Sequence, residues 1–472
     1  VSAASEIAMP RRHRRRRAVI AVIGVVVLAA GYFLYSIYAW KWELQKAVAE
    51  ADRLDPGWRL QDLDAAREPV SDADNSALVV LAAAALMPKN WGAAKLPDGK
   101  LLEERVFGLK PGEALSDPEL NVLRAELTPA TAALSTARDL AEMPRGRYSI
   151  AWSNDFVGTL VPHLDAMRNV ARLLNYDVVS RIRDGDRDGA LWSCRAVLNT
   201  GRSVGDEPCV ISQRVRVFCT QRAVRSLERT LAAGTVSAES LEALQKLLAD
   251  EAEQPLLLRA ARAERVAYFQ ALEVMRSGQF NRAAYGVRNS ILGATGDDLV
   301  DQSRARASEA AYLRWTNAVV EIAKQPSENQ NEMLEKLEPP SATLPTLISA
   351  LSSGNDMARQ ARVFNRSRAE LRCAATALAA ERYRLAENRW PEKLGDLVPR
   401  YLKEVPSDPF DGQSLRMRHL DDGLVVYSVG ADRQDNGGTM DLLRPEDPGT
   451  DVGFELRNAT KRGLSRVVPA AP

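Results

Sequence analysis

The chain has 472 residues, 46% hydrophobic and 26% charged, with 63 Lys and Arg against 62 Asp and Glu and a formal net charge of +1. That length and apolar content predict two or three packed domains and exclude a disordered chain. The near-zero balance hides Arg11, Arg12, Arg14, Arg15, Arg16 and Arg17. Without them the body is mildly acidic, which argues against the basic face a nucleic-acid surface needs to displace counterions from phosphates.

From Ala18 to Trp40 the chain carries no charge and is rich in Val, Ile, Leu and Ala. At about 1.5 Å per residue it can cross a hydrocarbon core about 30 Å thick. We therefore expect one transmembrane helix over 18–40. The arginine cluster flanks its start, and Tyr32, Tyr35, Tyr38, Trp40 and Trp42 crowd its end, as amphipathic rings do at the headgroup layer. The positive-inside rule then places residues 1–17 in the cytoplasm and the bulk of the chain outside, in a single-pass protein of the cell membrane. A cleaved signal peptide ending near Leu28-Ala29-Ala30-Gly31 is the alternative, but apolar and aromatic sequence runs on through Trp40 without a polar break. No helix breaker appears before Asp55-Pro56-Gly57, so the helix is expected to continue to that point.

Residues 41–355 read as an extracytoplasmic helical domain, an irregular bundle or solenoid-like stack. Leu160, Leu164, Met167, Ala171, Leu174, Val178 and Ile182 recur in steps of three and four, one face of one amphipathic helix. Further helices are predicted over 186–200, 208–233, 237–251, 254–277 and 302–325, with breaks at Gly185, Gly201 to Pro208, Gly234 and Gly278. Residues 55–70 and 87–112, interrupted by Pro, Gly and Trp, are expected as ordered loops, and 278–300 as a linker. Gly185-Asp186 followed by Ala190-Leu191 resembles the turn of a tetratricopeptide repeat, but no second copy follows at that period, so it implies a helix-turn-helix and not a repeat array. Asp184 to Gly189 also matches the first half of an EF-hand loop. The twelfth position is Arg195 where calcium needs a bidentate Glu, so the aspartates are expected to cap the next helix.

Four cysteines in an extracytoplasmic body raise the question of disulfides. Cys194 and Cys209 lie symmetrically about a hairpin expected near Gly201 and Arg202, which makes a bridge between them geometrically reasonable; the alternative is four small buried apolar residues. Of the histidines His13, His163 and His419, no two share a metal-ligand spacing. His163 borders the apolar stripe of its helix and is expected to be a hydrogen-bonded structural residue. No nucleophile elbow, phosphate loop or zincin helix is present, so no catalytic residue is assigned and the chain is not expected to be an enzyme.

Residues 356–457 form the last unit, followed by a tail over 458–472. A long helix from about Asp356 to Glu387 should stop before Trp390-Pro391, since Pro391 cannot continue it. Val405-Pro406-Ser407-Asp408-Pro409-Phe410-Asp411-Gly412 has strong turn chemistry, and Leu415 to His419 and Leu424 to Val429 alternate about Asp421-Asp422-Gly423 as a hairpin. Together with Ala379-Ala380-Glu381-Arg382-Tyr383 and Tyr427-Ser428-Val429-Gly430-Ala431-Asp432, this series resembles the globular end of the major pseudopilins of type II secretion. The resemblance implies a small α+β module whose loop after the second strand binds calcium. Asp432 falls on the family's motif, with Asp435 and Asp441 as neighbouring carboxylates; the alternative is a polar, glycine-rich turn that needs no metal. The chain departs from that family elsewhere: Ala18 to Trp40 holds no glutamate, Gly24 is followed by Val25-Val26-Val27, and the whole helical body separates membrane helix from module.

These readings converge on a mainly α, membrane-anchored extracytoplasmic protein ending in a pseudopilin-like module. Its expected role is interaction or scaffolding with protein partners in the envelope, beside a secretion or envelope apparatus, without nucleic acid and with calcium as the one cofactor considered. The alternatives are an envelope enzyme with an unrecognised active site and a ligand-binding protein of helical-repeat type.

Overall fold

A computed structural model describes residues 11–156, 158–279, 293–340, 357–441 and 447–463. Helix α1, Arg11–Leu54, ends where Asp55-Pro56-Gly57 breaks it. The Asp55 carboxylate accepts from Arg262 Nη2 at 2.6 Å and Nε at 3.0 Å and from Arg265, which fixes the end of α1 to the helix that carries both arginines. Leu44, Ala47, Val48 and Ala51 pack that end against Trp58, Phe269, Ala310 and Leu313.

Among the described residues no helix is long and apolar enough to cross a membrane. Side chains at 11–18, 29, 30, 32–34, 36 and 37 lie outside that description. The described side chains from Val19 to Leu28 are all exposed, on every face of α1.

The body opens with short helices: α2 (Leu60–Ala65), α3 (Ser76–Ala85), α4 (Leu102–Phe107), α5 (Asp117–Leu127) and α6 (Thr131–Arg138). Two of these, α2 and α4, lie in stretches expected to be loops. Leu60, Leu102 and Val106 are buried, so tertiary burial supports helices too short to be stable alone. The long helices follow as α7 (His163–Asp184), α8 (Arg187–Arg202), α9 (Val210–Ala233), α10 (Ala238–Ala252) and α11 (Leu256–Arg276). The expected stripe runs along α7, except that Leu160 precedes the helix and is exposed. Then come α12 (Gly293–Ala323), which begins inside the expected linker, and α13 (Ser327–Glu335). The rest of that linker, 280–292, lies outside the described residues.

Helix α14, Met357–Glu387, leads into the C-terminal strands. Strands β1 (Arg416–Leu420) and β2 (Gly423–Ser428) form the expected hairpin, with His419 opposite Leu424. Strand β3 (Val452–Arg457) adds antiparallel to β2, giving a three-stranded sheet where only a hairpin was expected. Every residue of the central strand β2 is buried. One core joins Leu174 of α7, Leu198 of α8, Leu227 of α9, Leu244 of α10, Leu378 of α14 and Phe454 of β3. The C-terminal strands are thus built into the helical body.

Candidate functional site

The loop after β2 is where the sequence places a cation. Asp432 accepts from Gln434 N at 3.0 Å and Gly449 N at 2.8 Å, one donor per oxygen. Asp435 accepts from the Tyr427 hydroxyl at 3.0 Å and Gly437 N at 2.9 Å. Its other oxygen lies 3.4 Å from Arg416 Nε. Asp441 is exposed, and among the described residues no group of three or more His, Cys, Asp or Glu gathers in a way that could hold a metal ion. Calcium needs six or more converging oxygens, and here amides and a guanidinium engage them instead. Asp432, Asp435 and Asp441 do not gather into such a group among the described residues.

Arg416 supplies the positive charge in this region. It reaches Asp408 at 3.1 Å and Asp411 at 2.6 Å as well as Asp435. Asp408 is the hub, accepting also from Phe410 N at 3.0 Å, Ser428 Oγ at 2.7 Å and Val429 N at 2.8 Å. Asp451 organises the other side of the loop through Asn436 N and Gly438 N, at 3.3 and 2.6 Å. Burial raises its carboxyl above the ordinary value. Burial and the contact with Asp435 likewise push the Tyr427 hydroxyl up to about 12. Asp451 was missed because it belongs to no motif; its one signal is a carboxylate placed directly before an alternating strand.

All four cysteines are free and buried, the alternative to the bridge weighed between Cys194 and Cys209. Helices α8 and α9 do pack antiparallel, but the crossing is shifted. Gly201 faces Cys219 and Arg216, and the Cys194 thiol faces Thr230 Oγ1 at 3.8 Å. Thr230 stands some 30 Å along α9 from Cys209 at about 1.5 Å per residue. The chain from Ser203 to Cys209 is a loop that carries Cys209 past the end of α8. Burial pushes the Cys194 and Cys219 thiols up to about 12.

His163 is the hydrogen-bonded structural residue expected, with Nε2 3.1 Å from Glu207 Oε2. Ser212 donates to the other Glu207 oxygen, and Tyr148 stacks on the imidazole at 4.2 Å. Glu207 and Ser212 have no solvent exposure. Asp186 is the expected cap, accepting from Gly189 N at 3.0 Å, with Gly185 at φ 82° turning the chain.

Elsewhere a cavity of about 380 Å³ opens beside α7 and the end of α9, with Leu109, Leu115, Leu120, Val179 and Ile182 in its walls. Arg229, 5% exposed, and Arg187 also line it. No single residue in this pocket was singled out from the sequence for ligand binding.

The fold defines a mainly helical protein with a small antiparallel sheet set into the same core. No family model matches the chain, and neither the curated proteins nor the solved structures contain a significant match to it.

Proposed function

We propose that the chain is a single-pass membrane protein whose helical body and pseudopilin-like C-terminal module act outside the membrane as an interaction scaffold in a secretion or envelope apparatus. The observation that carries the anchor is α1: Val19, Ile20, Val22, Ile23, Val25, Val26, Val27 and Leu28 are each more than half exposed among the described residues. Burying an aliphatic side chain is worth about 1.5–3 kcal/mol, so a helix bare on all faces calls for a lipid environment. Exposed Tyr35, Tyr38 and Trp42 follow it, suited to the headgroup layer.

Helix α3 supports the interaction role. Ala77, Val80 and Ala83 face the core, while the outer stripe of Leu78, Leu81, Ala82, Ala85 and Leu86 is exposed and wholly apolar. A solvent-facing stripe of that kind is the usual mark of a partner surface. The integration of the strands with α9 and α14 fits a fixed platform and not a polymerising subunit. Protease added outside intact spheroplasts is expected to digest the body, and protection would overturn the topology. In native membranes a photo-crosslinker at Leu81 should capture a reproducible partner that Leu81→Glu weakens; capture unaffected by that change would sink the α3 assignment.

A further inference from the structure

The cavity beside α7 holds a charge imbalance. Arg229 lines it, and among the described residues its one hydrogen bond runs from Nη2 to the Phe107 carbonyl at a long 3.4 Å, leaving the buried Nη1 without an acceptor. Among the described residues Arg187 donates only to the carbonyls of Ala233 and Gly185, at 3.0 and 3.2 Å. Neither arginine forms an ion pair among the described residues. The carboxylates nearby are occupied: Glu113 is bound to Arg105 at 2.7 Å and Asp117 to Arg183 at 2.5 Å. Glu228, next to Arg229 in the chain, accepts instead from Glu455 N on β3 at 2.8 Å.

Glu228 attracts Arg229 but makes no hydrogen bond with it, and a buried guanidinium without a hydrogen-bonded counter-charge is costly, because a carbonyl dipole does not replace the hydration it has lost. Burial draws Arg229 down to about 10, which still leaves it charged at neutral pH. Glu113 and Arg183, each already paired, also line the cavity; the other walls are mostly aliphatic, and the volume falls in the range of small-molecule sites. We propose that this cavity binds a small aliphatic carboxylate, its head on Arg229 with Arg187 beside the entrance and its tail against Leu115, Leu120, Val179 and Ile182. A planar carboxylate would satisfy the orphaned Nη1 and use the forked donor geometry that an ammonium or a hydroxyl ligand cannot.

The test is calorimetric titration of the full chain, in the detergent that holds it in solution, with octanoate, octanol and inorganic phosphate. Octanoate is expected to bind about tenfold or more tightly than octanol or phosphate, since charge and tail both contribute. Arg229→Met should abolish the preference over octanol while leaving the unliganded protein as heat-stable as before or more so, because it removes an unpaired buried charge. Ala233→Leu, which keeps the arginine and fills the cavity, should weaken octanoate comparably. Equal binding of octanoate and octanol, phosphate binding as tight as octanoate, or unchanged octanoate binding in Arg229→Met would overturn the proposal. So would an unliganded Arg229→Met protein that melts well below the parent, since the arginine would then be structural.

Discussion

At the residue scale, buried charge is handled by enclosure. Glu251, fully buried, is held by Arg202 at 2.8 Å and by Arg216 at 2.6 Å, which ties α10 to α8 and α9. Glu381 does the same between Arg384 and Arg462, at 2.7 and 2.6 Å. Asp408 accepts from Phe410 N, Ser428 Oγ, Val429 N and Arg416, so Asp408→Asn, which loses one anionic acceptor, is expected to cost about 1–3 kcal/mol. A lower urea midpoint with an unchanged slope would show it. Calcium, by contrast, is expected to leave the melting temperature unchanged, because Arg416 supplies the charge that a cation would bring. A calcium-dependent rise that Asp432→Ala removes would restore the cation reading. Asp408 stood in the sequence as turn chemistry alone; its role as hub depends on Ser428 and Val429, which only the folded sheet brings to it.

At the element scale, apolar periodicity located the long helices and the hairpin, since α7 to α11 and α14 bury one face each and α9 most of its surface. The short helices were hidden, as α2 and α4 are too brief to show a period. Strand β3 was hidden because Gly453 and the polar residues before it blur the alternation. The hairpin of α8 and α9 was seen, but not its offset, and that offset decided the cysteines. Gly201 marks the closest approach: a Cβ there would lie 2.8 Å from the Cys219 Cβ. Gly201→Ala is therefore expected to destabilise by about 1–3 kcal/mol despite alanine's better helix propensity. Gly201→Ala combined with Cys219→Gly should recover part of that loss in the same denaturation measurement.

At the scale of the whole molecule, two sets of buried carboxyls oppose each other as pH changes. The Asp55 and Glu381 pKa values are lowered; although burial alone would raise them, hydrogen bonds and charge from their arginines prevail. Their stabilisation is complete above the ordinary carboxyl range and lost as pH falls through it. Glu228 and Glu309 are raised to about 7, mainly by burial, which outweighs even the Arg276 partner of Glu309. A raised acid keeps its proton longer folded than unfolded, so stability falls as pH climbs from the ordinary value to about 7. Stability is expected to peak near about pH 5 and to decline by about 1–3 kcal/mol towards pH 8. Glu228→Gln, which keeps the acceptor for Glu455 N, should flatten that decline. Urea unfolding at the two pH values checks it, and greater stability at pH 8 would refute it.

The sequence by itself determined the helical class, the long helices, the hairpin and the apolar run of α1, because each follows from local periodicity or from turn residues acting within a few positions. Tertiary structure alone decided which carboxylates meet arginines, that Cys194 faces Thr230 and not another cysteine, and that a buried Arg229 lines a cavity. Those outcomes depend on the register of packed helices, and a shift of one turn moves a side chain by about 5 Å, farther than any hydrogen bond reaches.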